Sequence, residues 1–508
     1  MSSSKPVAKI KILDEVNCAI IGLLPDHIFY LYEEYGRKAP GFFFNPKFKL
    51  GQWDGKIRYF HKTGKTHVYL LPEIIPKLTA LGYSLELVDE RVSNLPEVPL
   101  IDENYFSHIF HPEFQAPIIL RKYQVEAVNA VLSNAGGIII AGTGAGKTLM
   151  NAAIADSYGK FGLRTITIVP SQDLIEQTAN EFEICEVDVG RYYAEVKTLD
   201  HQHIISTWQS LKNNKKIISE FDVVIVDEAH GIKGNVLQQL LNEHGRHIPV
   251  RIGLTGTLPK AETDAMAVRI AVGDVQYTIT ARQLMDEGYL AQLEIDILQL
   301  EEDFKKEYQE FIEEHEQKWL VNPKEKPTYT QFKDGYFPDY TAEKRYLQSN
   351  KNRIEWIAEY IMAKRDLRKG NVFCLVNGIP FGKKLAAAIP GAVFVHGKDK
   401  QKARQEIYDM FAERDDLVVV ASIQIASTGL NIKRIFEMMA IDAGKSFVRI
   451  IQTIGRGLRK AEDKDSVRFT DICSDLKYSK KHLAERRKFY REAEYPHKKK
   501  KVDYNAHL

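Results

Sequence analysis

The octapeptide Ala141-Gly-Thr-Gly-Ala-Gly-Lys-Thr148 carries glycines, a lysine and a hydroxyl in the order that wraps a polyphosphate. Gly142, Gly144 and Gly146 let the backbone curl, so that their N–H groups and those of Thr143 and Ala145 can turn toward an anion. Lys147 then reaches the β- and γ-phosphates, and Thr148 offers its hydroxyl to Mg²⁺. The setting is the required one. A short apolar strand from Gly136 to Ile140 runs into the loop and a helical stretch from Leu149 to Tyr158 follows it, although Ala141 stands where the usual pattern opens with glycine.

A phosphate cradle needs a carboxylate at the end of a nearby buried strand. Phe221-Asp-Val-Val-Ile-Val226 leads straight into Asp227-Glu-Ala-His230, which puts Asp227 in place to hold Mg²⁺ and Glu228 in place to polarise a water. The chemistry these two segments imply is phosphoanhydride hydrolysis. Charge that builds up in such a reaction is commonly met by arginine. In Gln452-Thr-Ile-Gly-Arg-Gly-Leu-Arg459, the i,i+3 spacing sets Arg456 and Arg459 on one helix face.

The elements that must carry these residues are legible from the pattern of apolar runs. From Arg121 to about Leu290, short apolar runs alternate with helical stretches, as in βα units built around a parallel sheet. The alternation resumes with candidate strands at Val372–Val376, Ala392–Val395, Leu417–Ala421 and Met438–Ile441. Chain length agrees: 508 residues with 44% apolar side chains exceed what one core supports. The expected division is an α+β unit over 1–100, a first α/β domain over 112–295 and a linker or insertion over 296–345. A second α/β domain over 346–475 and a basic helix with a disordered tail over 476–508 complete it. The longest apolar runs have strand length, and the four cysteines form no CxxC pair. A membrane protein and a disulfide scaffold are therefore excluded as readings, and a reducing, cytoplasmic setting is expected.

Net charge is only +2, so a polyanionic partner must be sought in local clusters. Residues 36 to 65 supply one. Lys47, Lys49, Lys56 and Arg58 are interleaved with Phe42, Phe43, Phe44, Phe48 and Trp53, a mixture suited to phosphates and stacked bases. A hairpin whose aromatics face a small core is the competing account. His201, His203, His230 and His396 show no metal-ligand spacing, and structural roles are expected for them.

Taken in order, these segments resemble the superfamily 2 helicases and translocases. That resemblance covers about Arg121 to Arg459 and implies two tandem RecA-like domains that use ATP and Mg²⁺. It makes Leu120-Arg-Lys-Tyr-Gln124 the adenine-reading segment through Arg121 and Gln124. Pro170 and Gln177, together with Thr207 and Gln209, become strand contacts, as do His396 and Thr428 in the second domain. Thr255, Thr257 and Gln452 become coupling residues, Gly429 a nucleotide contact, and Arg456 and Arg459 the arginine fingers. Phe44-Asn-Pro-Lys-Phe-Lys-Leu-Gly-Gln-Trp-Asp-Gly-Lys-Ile-Arg58 further resembles the front domain of UvsW-type bacteriophage helicases. By that likeness the partners are branched or forked DNA and RNA–DNA hybrids, with single-strand-binding or recombination proteins. Movement is 3′ to 5′ by a monomer, in recombination, repair and replication. Two alternatives stay open: a duplex translocase that separates no strands, and a binding scaffold switched by ATP.

Overall fold

The computed structural model describes residues 5–506 apart from 93–94, 113–114, 369, 398, 400–405, 408, 411–412, 424–434 and 445–465. Two compact units divide the chain, Met1–Ile279 and Thr280–Leu508.

The first unit contains a front layer and a large sheet. In the front layer, the strands run in the order Lys65–His67, Asn17–Ile21, Val7–Ile12 and Ser84–Asp89. Alternate residues Ala8, Ile10 and Ile12 are buried, the period-2 pattern of a sheet covered on one face. Helices Pro25–Glu34 and Leu71–Ala80 cover that face with Leu31, Ile74 and Leu78. Ile270, from the helix Glu262–Val272 of the neighbouring layer, joins the same core.

That shared core is reinforced by polar links. Tyr59 donates to the Thr263 carbonyl at 3.2 Å, Arg37 meets Glu262 at 3.3 Å, and Arg269 pairs with Glu73. The boundary expected near residues 100–112 therefore separates two layers of one unit rather than two independent bodies. Asn129 stitches the intervening chain down by hydrogen bonds to both backbone groups of Ile101, each 2.9 Å.

The large sheet has the order Val196–Lys197, Val189–Tyr193, His203–Thr207, Thr165–Val169, Val223–Asp227, Val250–Thr255, Gly136–Ala141 and Val275–Ile279. All neighbours are parallel except the first pair. Strands such as Thr165–Val169 and Val250–Thr255 are buried at every position, because helices cover both faces.

His203 lies in this interior at 3% exposure, its Nδ1 2.6 Å from the Thr165 hydroxyl. Burial pushes its imidazole down to about 4, and burial does the same to His67 in the front layer. An unfolded histidine takes up a proton near pH 6.5, which the folded one refuses until pH 4. Stability of the first unit should thus be full above pH 6.5 and fall between pH 6.5 and 4, by about 3 kcal/mol per histidine. Urea unfolding across that range checks this. His203→Gln should flatten part of the slope, and an unaltered slope would remove His203 from the account.

In the second unit, the described strands are ordered Val393–Val395, Val418–Ser422, Asn371–Val376, Ile435–Ile441, Ser466–Ser474, Gln292–Leu300 and His497–Val502, all parallel. The four strands expected from sequence are all present.

Two expectations are corrected here. Gln292–Leu300 joins this sheet and not the first, because its nine residues pair in register with Ser466–Ser474. The stretch 296–345, expected as a linker or insertion with a charged helix from Glu301 to Lys318, carries helices Lys305–Glu314, Glu316–Val321, Tyr329–Gly335 and Tyr340–Leu347, with a small core of Phe304, Leu347 and Leu476. The lysine run is no loose tail. After the helix Lys477–Glu492, His497–Val502 pairs with Gln292–Leu300, its exposed lysines lining that strand. Lysine on a sheet edge discourages further strands from pairing there.

Candidate functional site

Three adjacent strands of the first unit end together. Asp227 pairs with Leu254 and Thr255 pairs with Ile140, so the acidic pair, the Thr255–Thr257 segment and the glycine-rich loop share one sheet edge. This carboxyl end of a parallel sheet is where such folds bind ligands. The helix Lys147–Gly159 begins at the loop with Gly146 at φ +75°, in the left-handed region. A Cβ at Gly146 would also lie 2.4 Å from the Gln124 amide nitrogen. Lys147 Nζ donates to the Ala141 carbonyl at 3.1 Å, folding its charge across the mouth of the loop.

Gln124 and Tyr123 both hold the loop from behind. Each donates to the Ala145 carbonyl at 3.0 Å, while the Gln124 oxygen accepts from the Arg121 N–H at 2.9 Å. Gln124 is buried, and its amide braces the glycine-rich loop. Arg121 is exposed at the start of the same helix and donates to the Tyr123 hydroxyl.

Asp227 and Glu228 have unlike surroundings. Burial and then the Glu228 charge push the Asp227 carboxyl up to about 6, against the pull of Lys147 and of the Glu228 N–H that it accepts at 3.0 Å. A divalent cation is the natural counter-charge for a carboxyl held this way. With Thr148 across the loop, the residues present fit Mg²⁺. Glu228 sits at φ +53°, a left-handed conformation uncommon for a side chain of this kind and frequent at functional strand ends.

His230 adds a link that sequence reasoning did not foresee. Its Nδ1 lies 3.2 Å from the Glu228 carboxylate and 3.2 Å from the Thr255 hydroxyl, and Thr255 donates to the Thr257 carbonyl at 2.9 Å. The carboxylate thereby connects through one imidazole to the next strand's end. Thr255 is buried and Thr257 is exposed. His230→Ala should lower strand movement per ATP more than it lowers hydrolysis. Translocation rate divided by ATP turnover on the same DNA measures this, and an equal fall in both would confine His230 to hydrolysis.

The expected strand contacts of the first unit divide. Pro170, Gln177 and Gln209 are exposed. Thr207 is buried at 2%, and its hydroxyl caps the helix Trp208–Asn213 by accepting from the Ser210 N–H, so it is corrected from a contact to a cap. In the second unit, His396 is partly buried and its Nδ1 lies 3.2 Å from Asp399. Thr428, Gly429, Gln452, Arg456 and Arg459 lie outside the described residues.

The aromatic-basic segment also divides. Gly36–Lys38 and Lys56–Arg58 form a two-stranded ribbon, and Tyr59 and Phe60 beside it enter the front core. Arg58 is held by Glu33 at 2.7 Å and Asp54 at 2.6 Å and lies over the Tyr32 ring, while Lys56 meets Glu33 at 2.7 Å. These two cations face carboxylates in this fold. Trp53 is partly buried and donates to the Lys56 carbonyl at 2.9 Å. Lys47 and Lys49 remain exposed.

Buried arginines escaped sequence reasoning entirely. Arg251, fully buried, donates to the carbonyls of Ala271, Gly245 and Leu241 at 2.6 to 2.9 Å. In the second unit Arg353 grips Asp442 bidentately at 2.7 and 2.8 Å, and Arg486 grips Asp471 at 2.8 and 2.9 Å.

Comparison with known proteins gives the segments a common context. Residues 9–88 match the family described as DNA helicase UvsW, N-terminal; 117–260 match Type III restriction enzyme, res subunit; 353–461 match Helicase conserved C-terminal domain. The chain is 23% identical over 475 residues to the ATP-dependent DNA helicase uvsW of Enterobacteria phage T4, covering 90% of this chain and 89% of that protein. It is 23% identical over 386 residues to putative helicase 22 of Sulfolobus islandicus filamentous virus (isolate Iceland/Hveragerdi), covering 70% of this chain and 64% of that relative's length.

Among solved structures, the fold is similar to the ATP-dependent Type ISP restriction-modification enzyme LlaBIII bound to DNA. The TM-score is 0.55 at 16% identity, covering 85% of this chain and 36% of that one. A variant of S. cerevisiae Dbp5 bound to RNA and ADP BeF3 gives a TM-score of 0.51 at 14% identity, covering 82% of this chain and 96% of that one. The two parallel sheets are RecA-like. Because a phosphate loop and an acidic pair end neighbouring strands of the first sheet, and the front, motor and C-terminal helicase segments follow one another along the chain, this protein is an ATP-dependent DNA helicase of superfamily 2 with a UvsW-type front domain.

Proposed function

We propose that this helicase remodels branched DNA, migrating junctions, regressing forks and unwinding RNA–DNA hybrids, with ATP hydrolysed at the loop of residues 141–148. The observation that carries the proposal is the UvsW-type front segment, packed into the first unit through Ile270 and the Tyr59, Arg37 and Arg269 links, so that a nucleic-acid-binding layer travels with the ATP site. Thr148 and Asp227 would hold Mg²⁺, which supplies charge neutralisation at the phosphates. Glu228 orients and polarises the attacking water, and Lys147 moves from the Ala141 carbonyl onto the phosphates. Arg456 and Arg459 compensate the transition-state charge. Hydrolysis then alters the grip on one strand and moves the protein along it.

The decisive experiment compares unwinding of forked DNA, a four-way junction and an RNA–DNA hybrid with and without ATP. ATP-dependent conversion of the junction is the expected result, and hydrolysis without conversion of any branched substrate would overturn the proposal. The match of residues 117–260 to a restriction-enzyme subunit favours one second reading, a duplex translocase that separates no strands. Displacement of a bound triplex strand without unwinding would select it.

A further inference from the structure

We propose that residues 42–50 form a rigid apolar knob that inserts at the terminal base pair where a duplex opens and unstacks it, with Phe44 and Leu50 as the inserting side chains. This deepens the branched-DNA reading of the front domain and rests on it. Phe44 and Leu50 are each 71% exposed, and Phe43 is 52% exposed. Large apolar side chains left open together on so short a stretch of chain call for an occupant.

The knob is built to stay in one shape. Phe42 and Phe48 meet edge to face at 4.8 Å on its inner side. Asn45 caps the short turn Pro46–Lys49 by accepting from the Lys47 N–H at 2.9 Å, and the Gln52 N–H donates back to the Lys47 carbonyl at 2.8 Å. Gly55, at φ +79°, lets the Phe42 ring lie against the backbone, since a Cβ there would be 2.6 Å from it. Trp53 closes the base of the loop through its bond to Lys56. A stiff apolar projection loses little freedom on contact, which suits it to insertion between bases.

Charge selects the occupant. Lys47 and Lys49 are exposed on the same short stretch of chain as the exposed rings, and Lys38 lies over the Phe42 ring at 4.9 Å. Two carboxylates of the same front layer, Glu33 and Asp54, are held by Arg58 and Lys56. The surface therefore offers aromatic faces and ammonium groups, with those acids neutralised. Bases framed by phosphates match it, whereas an apolar protein segment would leave the lysines without partners. The ion pairs around Arg58 gain a purpose here, because they remove the negative charge that would repel a backbone.

The test uses forked DNA carrying 2-aminopurine at the branch-point pair, and the full-length protein. Binding without ATP should raise 2-aminopurine fluorescence as the pair unstacks. The double variant Phe44→Ala/Leu50→Ala should lose most of that rise and unwind the fork about tenfold or more slowly, the scale expected for lost base stacking. Both side chains are exposed, so its melting temperature and its single-strand-stimulated ATP turnover should match those of the parent. Phe44→Trp should keep the fluorescence rise.

A double variant that unstacks and unwinds like the parent would overturn the knob's role. So would loss of the rise accompanied by equal loss of single-strand-stimulated turnover. Failure of the parent to convert any branched substrate would instead sink the broader functional proposal, since the unstacking signal is read without ATP.

Discussion

Glu228→Gln should remove DNA-stimulated ATP hydrolysis while leaving nucleotide binding in place, with turnover falling by about 10² to 10⁴ as expected for loss of a general base. The substitution keeps the shape of the side chain and its left-handed backbone at φ +53°. What it removes is the charge that faces His230 at 3.2 Å and is proposed to polarise water. Lys147→Ala should reach the same end by a different path. Its ammonium folds across the loop and also draws down the Asp227 pKa. Losing it weakens both binding and turnover. Steady-state turnover on single-stranded DNA, with a fluorescent nucleotide to read binding, separates the two cases. Wild-type turnover in Glu228→Gln would transfer the base role to another group.

The second large effect is on stability and lies in the second unit. Arg486 is 1% exposed, and Asp471, which it grips, is fully buried. Burial alone would lower the arginine's pKa, but the Asp471 carboxylate overrides it and holds the guanidinium firmly charged. Arg486 also donates to the Gly444 carbonyl at 2.9 Å, and Tyr490 donates to Asp471 at 3.0 Å. The pair therefore ties the helix Lys477–Glu492 to the strand Ser466–Ser474 and to the turn after Ile441.

Arg486→Met fills similar volume but leaves a buried carboxylate without its cation, a change that costs about 3 to 5 kcal/mol. The melting transition of the second unit should drop accordingly. Arg486→Met/Asp471→Leu should recover much of the loss, because it removes the uncompensated charge as well. A single variant as stable as the parent would show that water or another cation reaches Asp471.

The ATP chemistry was legible from residues close together in sequence. A phosphate loop is a local object: glycines at 142, 144 and 146, then Lys147 and Thr148, dictate the backbone path whatever surrounds them. Asp227 and Glu228 could be placed because a buried strand must end before a charged pair. The same locality made the strands Asn371–Val376 and Val418–Ser422 readable as apolar runs. Periodicity says that a strand exists and leaves open which sheet it joins. Gln292–Leu300 straddles the domain end expected at residue 295, and its pairing places all of it in the second sheet.

The chain alone therefore determined the fold class, the nucleotide loop and its acidic partner, since each depends on neighbours along the backbone. Tertiary structure decided which charges are free. Lys47 and Arg58 look equivalent in sequence, yet Lys47 is exposed while Arg58 is clamped between Glu33 and Asp54. It also turned Thr207 from a strand contact into a helix cap, drew His230 between Glu228 and Thr255, and made an ordered edge strand of the terminal lysines. The physical reason is range. Backbone curvature and apolar period are set within a few residues, whereas the partner of a charge or hydroxyl is whatever group folding brings within about 3 Å.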